Sequence, residues 1–489
     1  MAEFNNLENF KKSVINSVGI LFLVKLILLP ISGLVNIILA RLLEPIHFGI
    51  YGILSVIIYT TYDICDLGLV AFAVQTKDEL NLNEYRTVFT LKLILSIIGF
   101  IILWLISTFL INLFHLSKET QIAMKLLSLV ILIEPISSIS RVILQRKLLY
   151  KKIAFLDTIN LLSFYLVVII LAYYHFEVWS FILAGLISVI ITNILYIITS
   201  PWNFGLNLNT EVAKRALKFG SFFQLSNVIK MVREYTTAIL GGIIFGPKAV
   251  GYLSWADNLT SKIATTFTQE VNRVTFPAIS RIQTDKKAVS LFFSKAVYYL
   301  LLLTSPLIFM LFALSYETII IIFKPKWLPA LPALIAFGFV VLAGHFIYIG
   351  ENLLKGLGQV KKASLITGLW TITLWLIIPF TKKWLGYNSI AFAWMISSFL
   401  STILIINTVN KYHPLDLKPI LYILFSSAFS AFLISLLKNI ITINIYTLII
   451  LYILGILGYI LILFIIKHTQ IYGELKNLLK LLLSSYRDI

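Results

Sequence analysis

The sequence predicts an all-α integral membrane protein of about fourteen transmembrane helices, arranged as two related halves of six with a further C-terminal pair. Three observations lead there. Of 489 residues, 59% are hydrophobic and only 13% charged, about half the charged share of an ordinary soluble domain. Apolar runs of roughly 20 residues, each long enough to cross ~30 Å of hydrocarbon as a helix, recur from end to end. Finally, Pro45-Ile46-His47-Phe48-Gly49-Ile50-Tyr51 returns as Pro247-Lys248-Ala249-Val250-Gly251-Tyr252. Each copy follows one long apolar segment and opens another, so the halves read as a duplication. Duplicated bundles meeting near the bilayer midplane point to a transporter.

Taken in order, the first half has spans centred near Lys25, Tyr59, Phe100, Leu132, Ser163 and Ser188. The second continues at Lys230, Ile263, Leu303, Val341, Leu374 and Met395, and two more centre near Ala428 and Ile456. The segments between Ala213 and Phe323 are the least cleanly separated. The expected organisation is an N-terminal segment 1–12, a bundle 13–200, a linker 201–213, a bundle 214–412, two added helices within 413–468 and a tail 469–489. In the tail, Leu and Ile recur on a helical period beside Lys476 and Lys480, as in a helix lying on the inner membrane surface. The polar start, Met1 to Lys12, precedes an apolar run too long for a cleaved leader, so the first span is expected to remain.

The formal net charge is +18, but the Lys and Arg residues sit between apolar runs rather than on one soluble face, which excludes nucleic acid as the partner. With the N-terminus in the cytoplasm, most of them fall in inside loops, and contact with anionic membrane lipid follows. Both termini are then cytoplasmic in a multi-pass protein of the cell (inner) membrane. The strongest inside loop carries Arg141, Arg146, Lys147, Lys151 and Lys152. The single cysteine, Cys65, excludes an internal disulfide. No metal-ligand spacing, phosphate-binding glycine loop or cofactor motif is present, and Gly356-Leu357-Gly358 reads as a helix break or close-packing site. Short loops argue against a membrane glycosyltransferase or polymerase.

Ionisable side chains in hydrocarbon are expensive and by default face a cavity or one another. Lys25 and Lys230 lie midway along the first and seventh spans, at nearly the same distance ahead of the two repeat copies, with Arg233 one turn beyond Lys230. Lys262 falls near mid-depth in the eighth span. These four are the candidate substrate-binding cations, suited to an anionic group such as a diphosphate. The competing reading is pairing: Lys230 with Glu234 on one helix face, and Lys25 with Asp63 or Asp66. Glu134, beside Pro135 in the fourth span, is a candidate proton carrier. Asp63 and Asp66 join it as candidates for ion coupling or gating. Pro30 and Pro306 also interrupt spans, as suits helices that bend.

Ala40-Arg41-Leu42-Leu43-Glu44-Pro45, Phe48-Gly49-Ile50-Tyr51, Asp66-Leu67-Gly68-Leu69 and Gln75 resemble the start of Wzx-type polysaccharide flippases. Those proteins belong to the multidrug/oligosaccharidyl-lipid/polysaccharide exporter superfamily. Leu217-Lys218-Phe219-Gly220, Gly246-Pro247 through Gly251-Tyr252, Phe276-Pro277-Ala278-Ile279-Ser280-Arg281 and Trp327-Leu328-Pro329-Ala330 continue the likeness, which covers about residues 10 to 415. The resemblance implies a MATE-like V of two six-helix bundles plus two helices. It also implies transfer of a polyprenyl-diphosphate-linked oligosaccharide to the outer leaflet by alternating access, for surface polysaccharide synthesis. Coupling to a proton or sodium gradient and partnership with glycosyltransferases and a polysaccharide polymerase come with it. The alternatives are a MATE-like drug or cation antiporter, a peptidoglycan-precursor flippase, and a membrane enzyme.

Overall fold

The computed structural model describes residues 27–76, 80–411 and 414–466, with some side chains between 222 and 282 outside the description. Lys25, the polar N-terminal segment and the amphipathic tail lie outside the described residues. Every regular element described is helical. The chain divides into two compact units, Met1–Trp255 and Ala256–Ile489.

The first unit contains α1 (Ile27–Leu42), α2 (Pro45–Asp66), α3 (Leu69–Gln75) and α4 (Leu82–Leu113). Then follow α5 (Lys118–Leu127), α6 (Leu129–Arg146), α7 (Tyr150–Tyr173), α8 (Trp179–Thr199), α9 (Thr210–Glu234) and α10 (Thr236–Phe245). Helix α11 (Pro247–Ile282) begins in this unit and continues into the second. The second unit adds α12 (Lys286–Ala313), α13 (Ser315–Thr318), α14 (Leu331–Gly356), α15 (Val360–Leu385), α16 (Asn388–Asn410), α17 (Lys418–Leu437) and α18 (Ile445–Ile466).

Eleven helical segments among the described residues are long and apolar enough to cross a membrane, so this is a multi-pass membrane protein. They match all the predicted spans except the first, seventh and eighth. α1 is described only from Ile27. The seventh is split at Tyr235 into a charged α9 and a short apolar α10. The eighth, α11, is 36 residues long and carries Lys248, Asp257, Lys262 and Glu270 along its length. Helices α6 and α12 run through Pro135 and Pro306. The breaks fall instead at Ser128, where α5 gives way to α6, and at Leu67–Gly68.

The two repeat copies have a common local cause. Pro45 and Pro247 each stand at the first position of a helix, where the missing N–H has no intrahelical partner to lose and the fixed φ favours helix. Four residues on, Gly49 and Gly251 occupy the same face. These faces meet each other. A Cβ added at Gly49 would overlap the carbonyl oxygen of Pro247, and one at Gly251 would overlap that of Pro45. The contact is therefore reciprocal, each proline carbonyl resting on the other copy's glycine. A second close approach joins two more of the motif stretches: a Cβ at Gly220 would overlap the carbonyl oxygen of Leu67.

The segment 200–209 between α8 and α9 is packed onto α4. Thr90 and Thr87 on α4 accept from the backbone N–H groups of Asn207 and Asn209, each at 3.1 Å, and the rings of Phe89 and Trp202 sit 5.4 Å apart edge to face. Arg146 closes the C-terminal end of α3 by donating to Ala73 O and Thr76 O, both at 2.8 Å. A cation there also faces the negative end of the helix. Replacing Arg146 by Met is expected to cost about 2–3 kcal/mol, since hydrogen bonds from a charged group are worth more than neutral ones. A lowered melting temperature of the purified protein checks this.

In the second unit α12, α14, α16, α17 and α18 share one apolar core. Small residues bring α17 close to two neighbours: the hydroxyls of Ser305 on α12 and Ser427 are 2.7 Å apart, and Ser430 donates to Gly455 O of α18 at 2.7 Å. His345 is buried on α14, with Thr268 Oγ1 3.2 Å from Nδ1 and Thr304 Oγ1 2.8 Å from Nε2. The Gly356-Leu357-Gly358 stretch ends α14, with Gly358 at φ +73°.

Candidate functional site: a polar cavity in the first unit

Polar residues on seven helices of the first unit, α2, α3, α4, α6, α7, α8 and α9, line one cavity of about 790 Å³. On α2 the spacing 62, 63, 66 places Tyr62, Asp63 and Asp66 on adjoining faces of the last turns. The helix ends just beyond, because Leu67 (φ 43°) and Gly68 (φ 68°) both take left-handed conformations. Glycine adopts this freely; leucine does so at a strain held by its surroundings. The turn lets α3 restart directly and leaves the Leu67 carbonyl against Gly220.

On α6 the residues Glu134, Ser138, Arg141 and Gln145 fall on one stripe at helical spacing and all line the cavity. Asp157 and Asn160 on α7, Thr192, Asn193 and Tyr196 on α8, and Gln224, Glu234 and the neighbouring Tyr235 at the α9–α10 end complete the polar wall.

Two ion pairs organise this wall. Lys92, only 1% exposed on the apolar helix α4, places Nζ 2.6 Å from Asp66 Oδ1 and donates to Tyr62 Oη at 3.1 Å. Its ammonium also lies 4.9 Å from the Tyr62 ring centroid. Arg141 donates to Asp157 Oδ2 at 3.4 Å, Tyr196 Oη donates to Asp157 Oδ1 at 2.9 Å, and the guanidinium sits 5.6 Å from the Tyr196 ring. Asn160 Nδ2 donates to Thr192 Oγ1 at 2.8 Å. The carboxylates Asp63, Asp66, Glu134, Asp157 and Glu234 outnumber the cations Lys92 and Arg141. A charge in hydrocarbon requires a partner or water, and this cavity gathers such partners in one place.

The structure brings together Asp63, Asp66 and Glu134, the three residues expected to couple or gate. Of the four expected substrate cations, the two whose side chains are described, Arg233 and Lys262, are not among the described cavity residues. Lys25 lies outside the described residues, and of Lys230 only the backbone, on α9, is described. Arg233 is buried in the last turn of α9, next to Glu234 and Tyr235, which do line the cavity. Lys262 lies half-buried on α11 in the second unit. Among the described residues Asp66 pairs with Lys92; the suggested pairing with Lys25 lies outside them.

Lys92 escapes sequence reasoning because it lies early in a 32-residue helix. A span window centred on Phe100 leaves it at the interface, where lysine is unremarked. The longer helix places it inside the unit. Arg141 escapes for the same reason: counted as loop charge, it belongs to α6 and its side chain turns to Asp157. The signal for both is the α6 polar stripe, which has no use on a lipid-facing helix.

A sequence family described as "Polysaccharide biosynthesis protein" matches residues 38–332. An "Uncharacterized membrane protein in cps region" of Klebsiella pneumoniae is 22% identical over 78% of this chain and 78% of its own length. "Lipopolysaccharide biosynthesis protein WzxC" of Escherichia coli is 23% identical over 62% of each, and "Teichuronic acid biosynthesis protein TuaB" of Bacillus subtilis 24% identical over 55% of this chain and 56% of its own. Among solved structures, the "Lipid II flippase MurJ, inward closed conformation" superposes with a TM-score of 0.76 over 92% of this chain and all of that one, at 19% identity. An inward-facing MATE family multidrug transporter of the MOP superfamily superposes at 0.56 over 78% of this chain and 94% of that one, at 13% identity. At those identities the likeness is one of fold. The family match spans more than half of the sequence, and the chain belongs to the polysaccharide biosynthesis protein family.

Proposed function

We propose that this protein is a flippase, a transporter rather than an enzyme, which carries a polyprenyl-diphosphate-linked oligosaccharide from the cytoplasmic to the outer leaflet of the bacterial inner membrane for surface polysaccharide synthesis. The observation that carries this reading is a large polar cavity sunk among spanning helices, in a chain of a polysaccharide-biosynthesis family. A hydrophilic head group needs such a cavity to cross ~30 Å of hydrocarbon, while its prenyl tail stays in lipid. In this reading all fourteen segments span, as bundles 13–200 and 214–412 followed by two further helices, with both termini cytoplasmic. Lys25, Lys230, Arg233 and Lys262 hold the diphosphate. Asp63, Asp66 and Glu134 couple transport to protons or sodium, or gate it, as the bundles alternate in access. The glycosyltransferases that build the substrate and the polymerase that consumes it are the natural partners.

A cation antiporter is the second reading, and the excess of carboxylates over cations in the cavity favours it. A deletion strain separates the two. For a flippase, lipid-linked oligosaccharide accumulates on the cytoplasmic leaflet, surface polysaccharide disappears, and the intact gene restores both. Normal surface polysaccharide with heightened sensitivity to cationic drugs would establish the antiporter and remove the flippase reading.

A further inference from the structure

The turn that ends α6 and starts α7 recurs where α14 gives way to α15. Leu148 and Gly358 both take left-handed conformations, at φ 55° and 73°. Their N–H groups donate to Gln145 O and Lys355 O, each at 3.0 Å. The next N–H groups, of Leu149 and Gln359, donate to Leu144 O and Leu354 O at 2.9 and 2.8 Å. The following helices then open in the same register, with Lys152 N donating to Leu149 O and Lys362 N to Gln359 O, both at 3.0 Å. The shared turn sets a lysine pair at each helix start, Lys151-Lys152 on α7 and Lys361-Lys362 on α15. These helices are the fifth and eleventh predicted spans, which hold the same place in the two expected halves.

All four lysines are exposed, and none forms a side-chain hydrogen bond or ion pair with the described residues. One turn further, on the face of the first lysine, Phe155 is 66% exposed and Leu365 65%. On α7 the two lysines, Phe155, the buried Leu156 and Thr199 at the end of α8 line a hollow of about 360 Å³. Both helices are long and apolar enough to cross the membrane. A lysine at the start of such a helix stands near the headgroups, and a side chain one turn (about 5.4 Å) further in meets acyl chain. A phospholipid presents its groups in that order, phosphate first and chains beneath.

Charge selects among lipids. A third lysine pair, Lys286-Lys287, starts the spanning helix α12. There Asp285 stands directly before the pair, its carboxylate accepting from Lys287 N and Ala288 N at 2.9 and 3.0 Å. The residues directly before the other two pairs are Leu149-Tyr150 and Gln359-Val360, which carry no charge. Two cations without a described counter-ion are complemented by an anionic headgroup, whereas a zwitterionic one brings a further cation to them. We infer that the starts of α7 and α15 are two equivalent docking sites for an anionic phospholipid, its phosphate between the lysines and its chains against Phe155 or Leu365. In the orientation of the flippase reading, on which the choice of leaflet alone rests, both sites lie in the cytoplasmic leaflet.

The test is native mass spectrometry of the full-length protein, titrated in detergent with phosphatidylglycerol or with phosphatidylcholine. Wild type is expected to retain two phosphatidylglycerol molecules, each bound about tenfold tighter than phosphatidylcholine, as for two screened lysines near one phosphate. Lys151→Gln/Lys152→Gln and Lys361→Gln/Lys362→Gln should each retain one, and the four changes together none. Lys286→Gln/Lys287→Gln removes the same charge elsewhere and should retain two. The substituted side chains are exposed, so every variant should melt as wild type does. Equal retention of the two lipids by wild type overturns the inference, as does an equal loss of phosphatidylglycerol in the α12 variant, which would reduce the lysines to net charge. Displacement of phosphatidylglycerol from both sites by undecaprenyl diphosphate also overturns it, since the sites would then receive substrate. The lipid count does not bear on transport, so the flippase reading stands or falls separately, on the deletion strain.

Discussion

Lys92→Met is expected to cost about 3–5 kcal/mol of stability and to abolish transport, the larger of the two main effects. The ammonium is 1% exposed and 2.6 Å from Asp66. Removing it leaves the carboxylate of Asp66 in a membrane-embedded wall with its strongest partner gone, and that uncompensated charge accounts for most of the penalty. The double variant Asp66→Asn/Lys92→Met removes both charges and should recover most of the melting temperature. It should not recover transport, since the Asp66 carboxylate and the Lys92 ammonium that orders Tyr62 are both lost. Thermal melting of the purified variants, with surface polysaccharide as the transport readout, separates the outcomes. Equal stability in the single and double variants would mean that the pair is not what holds this wall together.

Gly49→Ala and Gly251→Ala are each expected to destabilise the protein by about 1–3 kcal/mol, the usual range for overpacking, and to reduce transport severely. Neither helix can accept a Cβ without moving, because the obstruction is a backbone carbonyl, that of Pro247 in one case and Pro45 in the other. The reciprocal geometry adds a sharper expectation. Separating the two helices to fit the first methyl also makes room for the second, so the double variant should cost little more than either single one. A double-mutant cycle measured by melting would reveal a coupling of about 1 kcal/mol or more. Simple additivity would mean that the glycines act independently.

The repeat that produces this contact is legible in the amino-acid sequence. Proline at a helix start and glycine one turn later have local causes, and the same Pro–Gly spacing at the same place in the helix order locates both. That the two copies touch is not legible there, because nothing local distinguishes a glycine facing lipid from one facing its own counterpart. The same division runs through the cavity. Asp63, Asp66 and Glu134 stand out as charges in apolar segments, since the cost of burying a carboxylate is independent of fold. Lys92, Asn193 and Gln224 do not. A lysine near the start of a long span, an asparagine and a glutamine are common on helices, and their meaning depends on which helices they face.

By itself, the sequence determined the class of protein, most of its spans, the recurring Pro–Gly motif and three of the carboxylates. Apolar length, charge frequency and helix-start chemistry are properties of consecutive residues, and a bilayer makes them decisive. Tertiary structure alone decided that Asp66 answers Lys92, that Arg141 serves the cavity rather than a loop, and that the two Pro–Gly turns lock together. Each of these depends on side chains brought together from separate helices, and packing sets those distances.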